Sequence, residues 1–401
     1  MGVNLHVYQS PFLHESRMLR ITKTIAETCA FDQVLIFATW EPGLPEIEML
    51  DAKRQVHRIR TRCVPPACRG RIFGLLRKGE WILRVIWRAC RFPIECASAH
   101  SLLVLPAMLL LGWLKRCKVV YDTHELETET QTLHGVTQSL AKRVERFAIR
   151  HVDAVVVVND SIGHWYRAQY ATNRLHVVRN IPRRATGPIR TTNALREALG
   201  IPEEDVIFLY QGGLGKHRGI ELLLRAFARV PDGRHIVFMG FGPLEETVRK
   251  AQRDNVHFFP AVRPEALGDF TASADVGVVL YENVCLNHYY CLPNKVFEYL
   301  AAGVPVIVSD FPEMAKVVDA YGAGWKLPVS EDALVRLVSN LSREAAAGRK
   351  QAAIETSQAY CWDKEKETLL DLYDGLGFLE RARPLQTAGR SKQLLTHAGQ
   401  L

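Results

Sequence analysis

The chain has 401 residues, 48% of them hydrophobic, a net charge of +8 and a pI near 9.0. That length supports large cores in two or three domains, and two is our reading. Nine cysteines are scattered without a Cys-x-x-Cys pair or a paired histidine spacing, which points to reduced thiols and away from a zinc centre. The positive charge suits a nucleic acid, an anionic membrane or a phosphorylated small molecule. No aromatic RNP-like pattern or zinc-finger spacing is present, so no nucleic-acid partner is expected. The opening residues show no charged segment followed by an apolar run and a small-residue cleavage site. A cytoplasmic location is therefore the expectation.

In chain order, Leu5–Tyr8 reads as a short strand. Glu15–Cys29 reads as an amphipathic helix, with Met18, Ile21, Ile25 and Cys29 at steps of three and four, and Gln33–Ala38 as the next strand. Strand, helix, strand implies a right-handed parallel crossover. If Lys78–Cys90 is helical, Arg77, Trp81, Arg84 and Arg88 share one face. That face suits either an anionic bilayer or ordinary solvation. Leu102–Leu114 is apolar but about thirteen residues long, short of the roughly twenty that span a bilayer, and reads as a buried helix.

Lys118-Val119-Val120-Tyr121-Asp122-Thr123-His124-Glu125 is a β-branched strand running into a polar loop. In open parallel sheets the carboxyl ends of strands are where ligands collect. His151–Asp160 is a second buried strand with a polar end, echoed in the other half by Ser273–Glu282. Two such strands, one per half, fit two related α/β domains. Ile181–Pro188 has linker composition. The expected division is 1–182, then 183–380 with a terminal helix crossing back, then a polar, basic tail over 381–401 expected to be disordered.

The second half opens with a strand over Val206–Tyr210, the run Gln211-Gly212-Gly213-Leu214-Gly215-Lys216-His217-Arg218-Gly219, and a helix over Ile220–Phe227. Glycines let backbone amides approach an anion at a helix start, and lysine or arginine adds charge. Further on, Asn294 reads as a helix cap, Gly303 as the left-handed stop, and Val304–Val308 as a strand buried on both faces.

These segments resemble a known family. Phe297-Glu298-Tyr299-Leu300-Ala301-Ala302-Gly303-Val304-Pro305-Val306 is similar to the donor-site segment of retaining GT-B glycosyltransferases of family 4, also called glycosyl transferases group 1. The Tyr121–Glu125 loop and the Gly212–Gly219 run are similar to two further segments of that family. The resemblance implies a GT-B fold, two Rossmann-like doubly wound parallel-sheet domains with a cleft between them. It implies a nucleotide diphosphate sugar as co-substrate, no cofactor and no metal requirement.

Carried over, Glu298 holds the donor ribose, Arg218 neutralises the leaving diphosphate with Lys216 as second choice, and His124 orients the transferred sugar. Gly212, Gly213, Asn294 and Lys295 contribute to the diphosphate site. Tyr290 stands where most of the family has another glutamate, eight positions before Glu298, so the sugar contact departs from the pattern. The Gln9–Arg17 loop resembles an acceptor-side loop by position only, making His14, Glu15 and Arg17 candidates together with Glu125; helix capping by Ser16 or Glu15 is the commoner use of such residues. The implied function is a retaining hexosyltransferase acting on a glycan or lipid-linked acceptor in envelope or exopolysaccharide synthesis, peripheral on the inner face of a membrane. The alternatives are a catalytically silent nucleotide-sugar binding subunit and a nucleotide-sugar epimerase on the same fold.

Overall fold

The computed structural model describes residues 2–13, 15–64, 70–183 and 192–380. His14, the linker-like stretch beyond Arg183 and the tail 381–401 lie outside the described residues. The chain divides into two compact units. One takes Met1–Thr128, Leu133–Val178 and Glu365–Leu401; the other takes Glu129–Thr132 and Arg179–Lys364.

The strands of the first unit are β1 (Val3–Val7), β2 (Gln33–Thr39), β3 (Ile47–Met49), β4 (Arg54–Ile59), β5 (Ile94–Ala99), β6 (Lys118–Asp122), β7 (Ala154–Val157) and β8 (Leu175–Val177). They form one sheet in the order β3-β4-β2-β1-β5-β6-β7-β8. All pairings are parallel except β3 with β4, an antiparallel edge that the sequence reading did not contain. The order runs outward from β1 in both directions, so the topological switch point lies between β1 and β5, where ligands bind in such sheets.

Local sequence explains the covering helices. Ser16–Glu27 buries Met18, Ile21 and Ile25 against the sheet. Asp160–Tyr170 starts where the Asn159 side chain accepts the Ile162 amide at 2.9 Å. Glu145 is fully buried, and its carboxylate accepts hydrogen bonds from the hydroxyls of Tyr121, Tyr166, Tyr170 and Thr128 at 2.6–3.3 Å. Burial pushes its pKa up, against those four donors. After Glu365 the chain belongs to this unit: Asn4 donates to the Tyr373 hydroxyl at 3.2 Å, and Phe378 packs on Phe31.

Helix Arg71–Ala89 corrects one expectation. Trp81 is buried, its indole donating to the Ala38 carbonyl at 3.3 Å, because it packs under the helix rather than on an outer face with Arg84 and Arg88. Arg84 bonds Glu80, and Arg88 bonds His57. The outward face is apolar instead, with Leu75, Leu83 and Trp87 at least 60% exposed. The expected buried helix spans Leu105–Lys115; it buries Leu105, Ala107, Met108 and Leu111 but leaves Trp113 77% exposed. Among the described residues, no helix is long and apolar enough to cross a membrane.

The second unit contains β9 (Val206–Gly213), β10 (Arg234–Phe241), β11 (Val256–Pro260), β12 (Val276–Val279), β13 (Val306–Ser309) and β14 (Gly324–Leu327), ordered β11-β10-β9-β12-β13-β14 and wholly parallel. Counted within the unit this is 3-2-1-4-5-6, the dinucleotide-fold order, with its switch point between β9 and β12. Alternate residues of β9 face opposite cores: Phe208 packs with Phe227 and Phe238, while Leu209 packs with Val237, Phe297 and Tyr299. Burial on both faces is why these strands read as unbroken apolar runs.

Candidate functional site

The second unit gathers its charged residues at the switch point. Helix Asn294–Ala301 aims its start at the carboxyl end of β9, and Pro293 occupies the capping position that the sequence assigned to Asn294. Asn294 is the first helical residue, and its side chain donates to Glu298 one turn on at 3.0 Å. Glu298 also accepts from the Gln211 side chain at 2.9 Å, and Gln211 in turn accepts from Thr271 at 2.8 Å. Gln211 and Thr271 escaped the sequence reading, since each acquires meaning only through Glu298. This shell leaves the carboxylate half-buried and fixed, ready to accept from a diol.

Gly212 shows why a glycine is required at the strand end. Its φ is +105°, and a Cβ there would stand 2.6 Å from the Lys295 side chain. The lysine lies in that space with its ammonium 4.7 Å from the Tyr210 ring centroid. Its pKa falls from 10.5 to about 7, burial being the main cause and the Arg218 charge the second, with Glu298 opposing both. Gly219, at φ +72°, starts helix Ile220–Phe227, and a Cβ there would meet Leu280 at 2.6 Å. This close approach ties the loop to the end of β12.

Arg218 lies over Tyr281, 5.8 Å from the ring centroid, with its guanidinium beside Gly213. Neither Arg218 nor Lys295 reaches a carboxylate at ion-pair distance among the described residues. Two adjacent, half-buried cations without an ion-pair partner form a site for an anion. Lys216 is exposed on the rim of a separate hollow of about 470 Å³, lined also by His217 and Glu282, which pair at 2.9 Å. Tyr290 follows the short helix Leu286–Tyr289 and packs on Tyr289.

In the first unit a second cluster sits at the other switch point. His6 lies in β1, His100 directly follows β5, and Asp122 and His124 stand at and just past the end of β6. His6 Nδ1 lies 2.8 Å from His100 Nε2, His100 Nδ1 lies 2.9 Å from His124 Nε2, and Asp122 Oδ2 lies 3.1 Å from His100 Nδ1. Arg17, a sequence candidate for the acceptor, is 4% exposed; it bonds both oxygens of Asp122, at 2.6 and 3.3 Å, and the Val178 carbonyl. Its guanidinium is committed to the interior.

Asp122 is held well below the usual carboxylate range, burial being outweighed by Arg17 and His100. Burial lowers His124 to about 3, a fall that Asp122 opposes and that His100 and Arg17 reinforce. Glu125 is exposed, and Tyr8 packs on the His124 ring at 4.9 Å. Among the described residues, only His100, Asp122 and His124 bring three such side chains close enough for a metal ion. Arg17 already supplies the positive charge there.

The chain is similar to known proteins in sequence and in fold. A family model described as "Glycosyl transferase 4-like domain" matches residues 16–181, and "Glycosyl transferases group 1" matches residues 191–357. A D-inositol 3-phosphate glycosyltransferase from Xylanimonas cellulosilytica is 28% identical over 196 residues, 45% of either chain. An Escherichia coli protein provisionally described as the colanic acid biosynthesis glycosyl transferase WcaI is 24% identical over 260 residues, 60% of this chain and 63% of its own. The chain thus spans about half the length of the curated relatives it matches. In fold, it is similar to sucrose-phosphate synthase from Thermosynechococcus elongatus, with a TM-score of 0.75, 16% identity, and 94% and 99% of the two chains covered. Anabaena HepE in complex with UDP and glucose follows at a TM-score of 0.69, 15% identity, and 94% and 100% coverage. With two parallel-sheet units of the GT-B kind, each matched by its own family model, the chain belongs to the group 1 glycosyltransferases.

Proposed function

We propose that this protein is a retaining hexosyltransferase. It transfers a sugar from a nucleotide diphosphate sugar to a glycan or lipid-linked acceptor in envelope or exopolysaccharide synthesis. The observation that carries the reading is the pair of cations, Lys295 and Arg218, set without an ion-pair partner against the Gly212–Gly213 strand end, with Glu298 fixed nearby by Gln211. A nucleoside diphosphate has the charge for the first and the ribose for the second.

In the proposed reaction the anomeric carbon–oxygen bond to the diphosphate breaks, and its electron pair leaves with the diphosphate. The acceptor hydroxyl oxygen bonds the anomeric carbon and gives its proton to the leaving group. Arg218, Lys295 and the amides of Gly212 and Gly213 offset the growing negative charge, without a metal. His124, in the first unit, orients the sugar. Lys216, exposed on its own rim, serves as a peripheral cation rather than a direct contact. UDP-sugar is our first choice of donor, because UDP and glucose occupy HepE. Incubating the protein with nucleotide sugars and a membrane extract tests the reading: nucleoside diphosphate release that needs the extract is expected. Turnover of donor alone to its epimer would replace it. Binding without any turnover would favour the silent subunit, a reading motivated by Tyr290.

The acceptor lies at an anionic membrane surface in this proposal. Helices Arg71–Ala89, Leu105–Lys115 and Gly135–Ile149 pack in sequence along the first unit. They expose Leu83, Trp87, Trp113, Leu140 and Phe147 beside Lys115, Lys142, Arg143 and Arg150. Their acidic residues are occupied, Glu80 by Arg84 and backbone amides and Glu145 in the core. Apolar side chains interspersed with cations suit an anionic bilayer surface. Trp87→Ser with Trp113→Ser should lower sedimentation with phosphatidylglycerol vesicles at least tenfold. Unchanged binding by that variant would remove the membrane from the proposal.

A further inference from the structure

The histidine cluster of the first unit fixes the protonation of its outermost member. Asp122, paired with Arg17, is an ionised carboxylate and only accepts hydrogen bonds. His100 Nδ1 stands 3.1 Å from Asp122 Oδ2 and must therefore carry a proton. The same Nδ1 lies 2.9 Å from His124 Nε2. A protonated nitrogen facing another nitrogen at that distance requires a lone pair on the second, so His124 Nε2 is bare.

His6 closes the chain at the inner end. Its Nδ1 donates to His100 Nε2 at 2.8 Å, which leaves its own Nε2 as a buried lone pair without a partner. The reverse arrangement would strand a buried N–H there, the costlier defect. Both ends thus agree on one proton order through three rings. His6, His100 and Asp122 stand in or directly after separate strands and no sequence motif joins them, so only the sheet order β1-β5-β6 creates the device.

We propose that His100 and Asp122 act as positioning residues that hold His124 as the neutral tautomer protonated on Nδ1, making it a hydrogen-bond donor to an oxygen of its ligand and unable to serve there as a base. The tautomer assignment stands on the cluster alone; identifying the ligand oxygen as one on the transferred sugar rests on the transferase reading above. The logic parallels the triad aspartate, whose replacement by asparagine leaves geometry intact but admits the wrong histidine tautomer.

The test is a long-range proton–nitrogen correlation spectrum of the full chain labelled with 15N-histidine, near neutral pH, with His124 assigned by its loss in His124→Gln. The expected pattern is a neutral ring protonated at Nδ1. A ring protonated at Nε2, or an imidazolium, would overturn the proposal, and this measurement decides it whether or not Asp122→Asn folds. Asp122→Asn frees His100 to reverse, and should convert His124 to a tautomer mixture. With a donor that the protein turns over, it should also lower kcat about 10- to 100-fold with donor KM within threefold of wild type. A predicted tautomer in wild type with no nucleotide sugar ever turned over would leave the assignment standing and remove the transferase reading instead.

Discussion

The two switch points solve the problem of buried charge in opposite ways. In the first unit, Arg17 and Asp122 are both 4% exposed and neutralise one another, with His100 completing the carboxylate's partners. In the second, Lys295 and Arg218 share a strand end, and the neighbouring carboxylate, Glu298, is taken by Gln211 and Asn294. The first cluster is charge-balanced without a ligand; the second is electrostatically incomplete. Removing one partner of a paired interior ion leaves the other uncompensated, whereas an ion already unpaired is held at a cost that an incoming anion relieves.

The largest expected effect breaks the closed pair. Arg17→Met leaves Asp122 buried and uncompensated, and should destabilise the protein by about 3–5 kcal/mol in urea unfolding. In the open cluster, Arg218→Ala should leave stability close to wild type while lowering kcat about 10²- to 10³-fold, about 2.7–4 kcal/mol of transition-state stabilisation. A variant that turns over like wild type would remove Arg218 from the site. Lys295→Met sharpens the contrast further: the ligand-free melting temperature should hold or rise, because a desolvated ammonium is gone, while stabilisation by a nucleoside diphosphate shrinks.

The smallest effect is a pH dependence set by Lys295. Its folded pKa of about 7 is depressed from 10.5, so between those values the unfolded chain binds more protons, and this group makes stability rise with pH. Below about pH 7 the lysine is charged in both states and its full cost is present. Ligand binding runs the other way: an anion needs the charged lysine, so above about pH 7 binding must take up a proton. Nucleoside diphosphate affinity should fall by up to about tenfold per pH unit there, and that slope should vanish in Lys295→Met.

Much of this was legible in sequence, for reasons that differ by site. The parallel sheets show as apolar runs because both faces are covered, and the Gly212–Gly219 and Leu292–Asp310 segments show because a strand end, its glycines and the next helix are contiguous. Glu298 could be named from its own neighbours. His6 and His100 could not, since they stand 94 residues apart and gain a role only when β1 and β5 pair. Trp81 and Trp87 share a helix, and periodicity alone did not say which one the sheet would cover. Asn294 suits a cap by residue type, but the preceding proline holds the extended conformation and the asparagine serves Glu298.

The most direct test of the central claim is a thermal-shift titration of wild type, Lys295→Met and His124→Gln with UDP, GDP and ADP. The account predicts that at least one nucleoside diphosphate raises the wild-type melting temperature, adding about 2.7 kcal/mol at a hundred times its Kd. It predicts the same response in His124→Gln and a much smaller one in Lys295→Met. No shift in wild type with any of the three, or an undiminished shift in Lys295→Met, would contradict it.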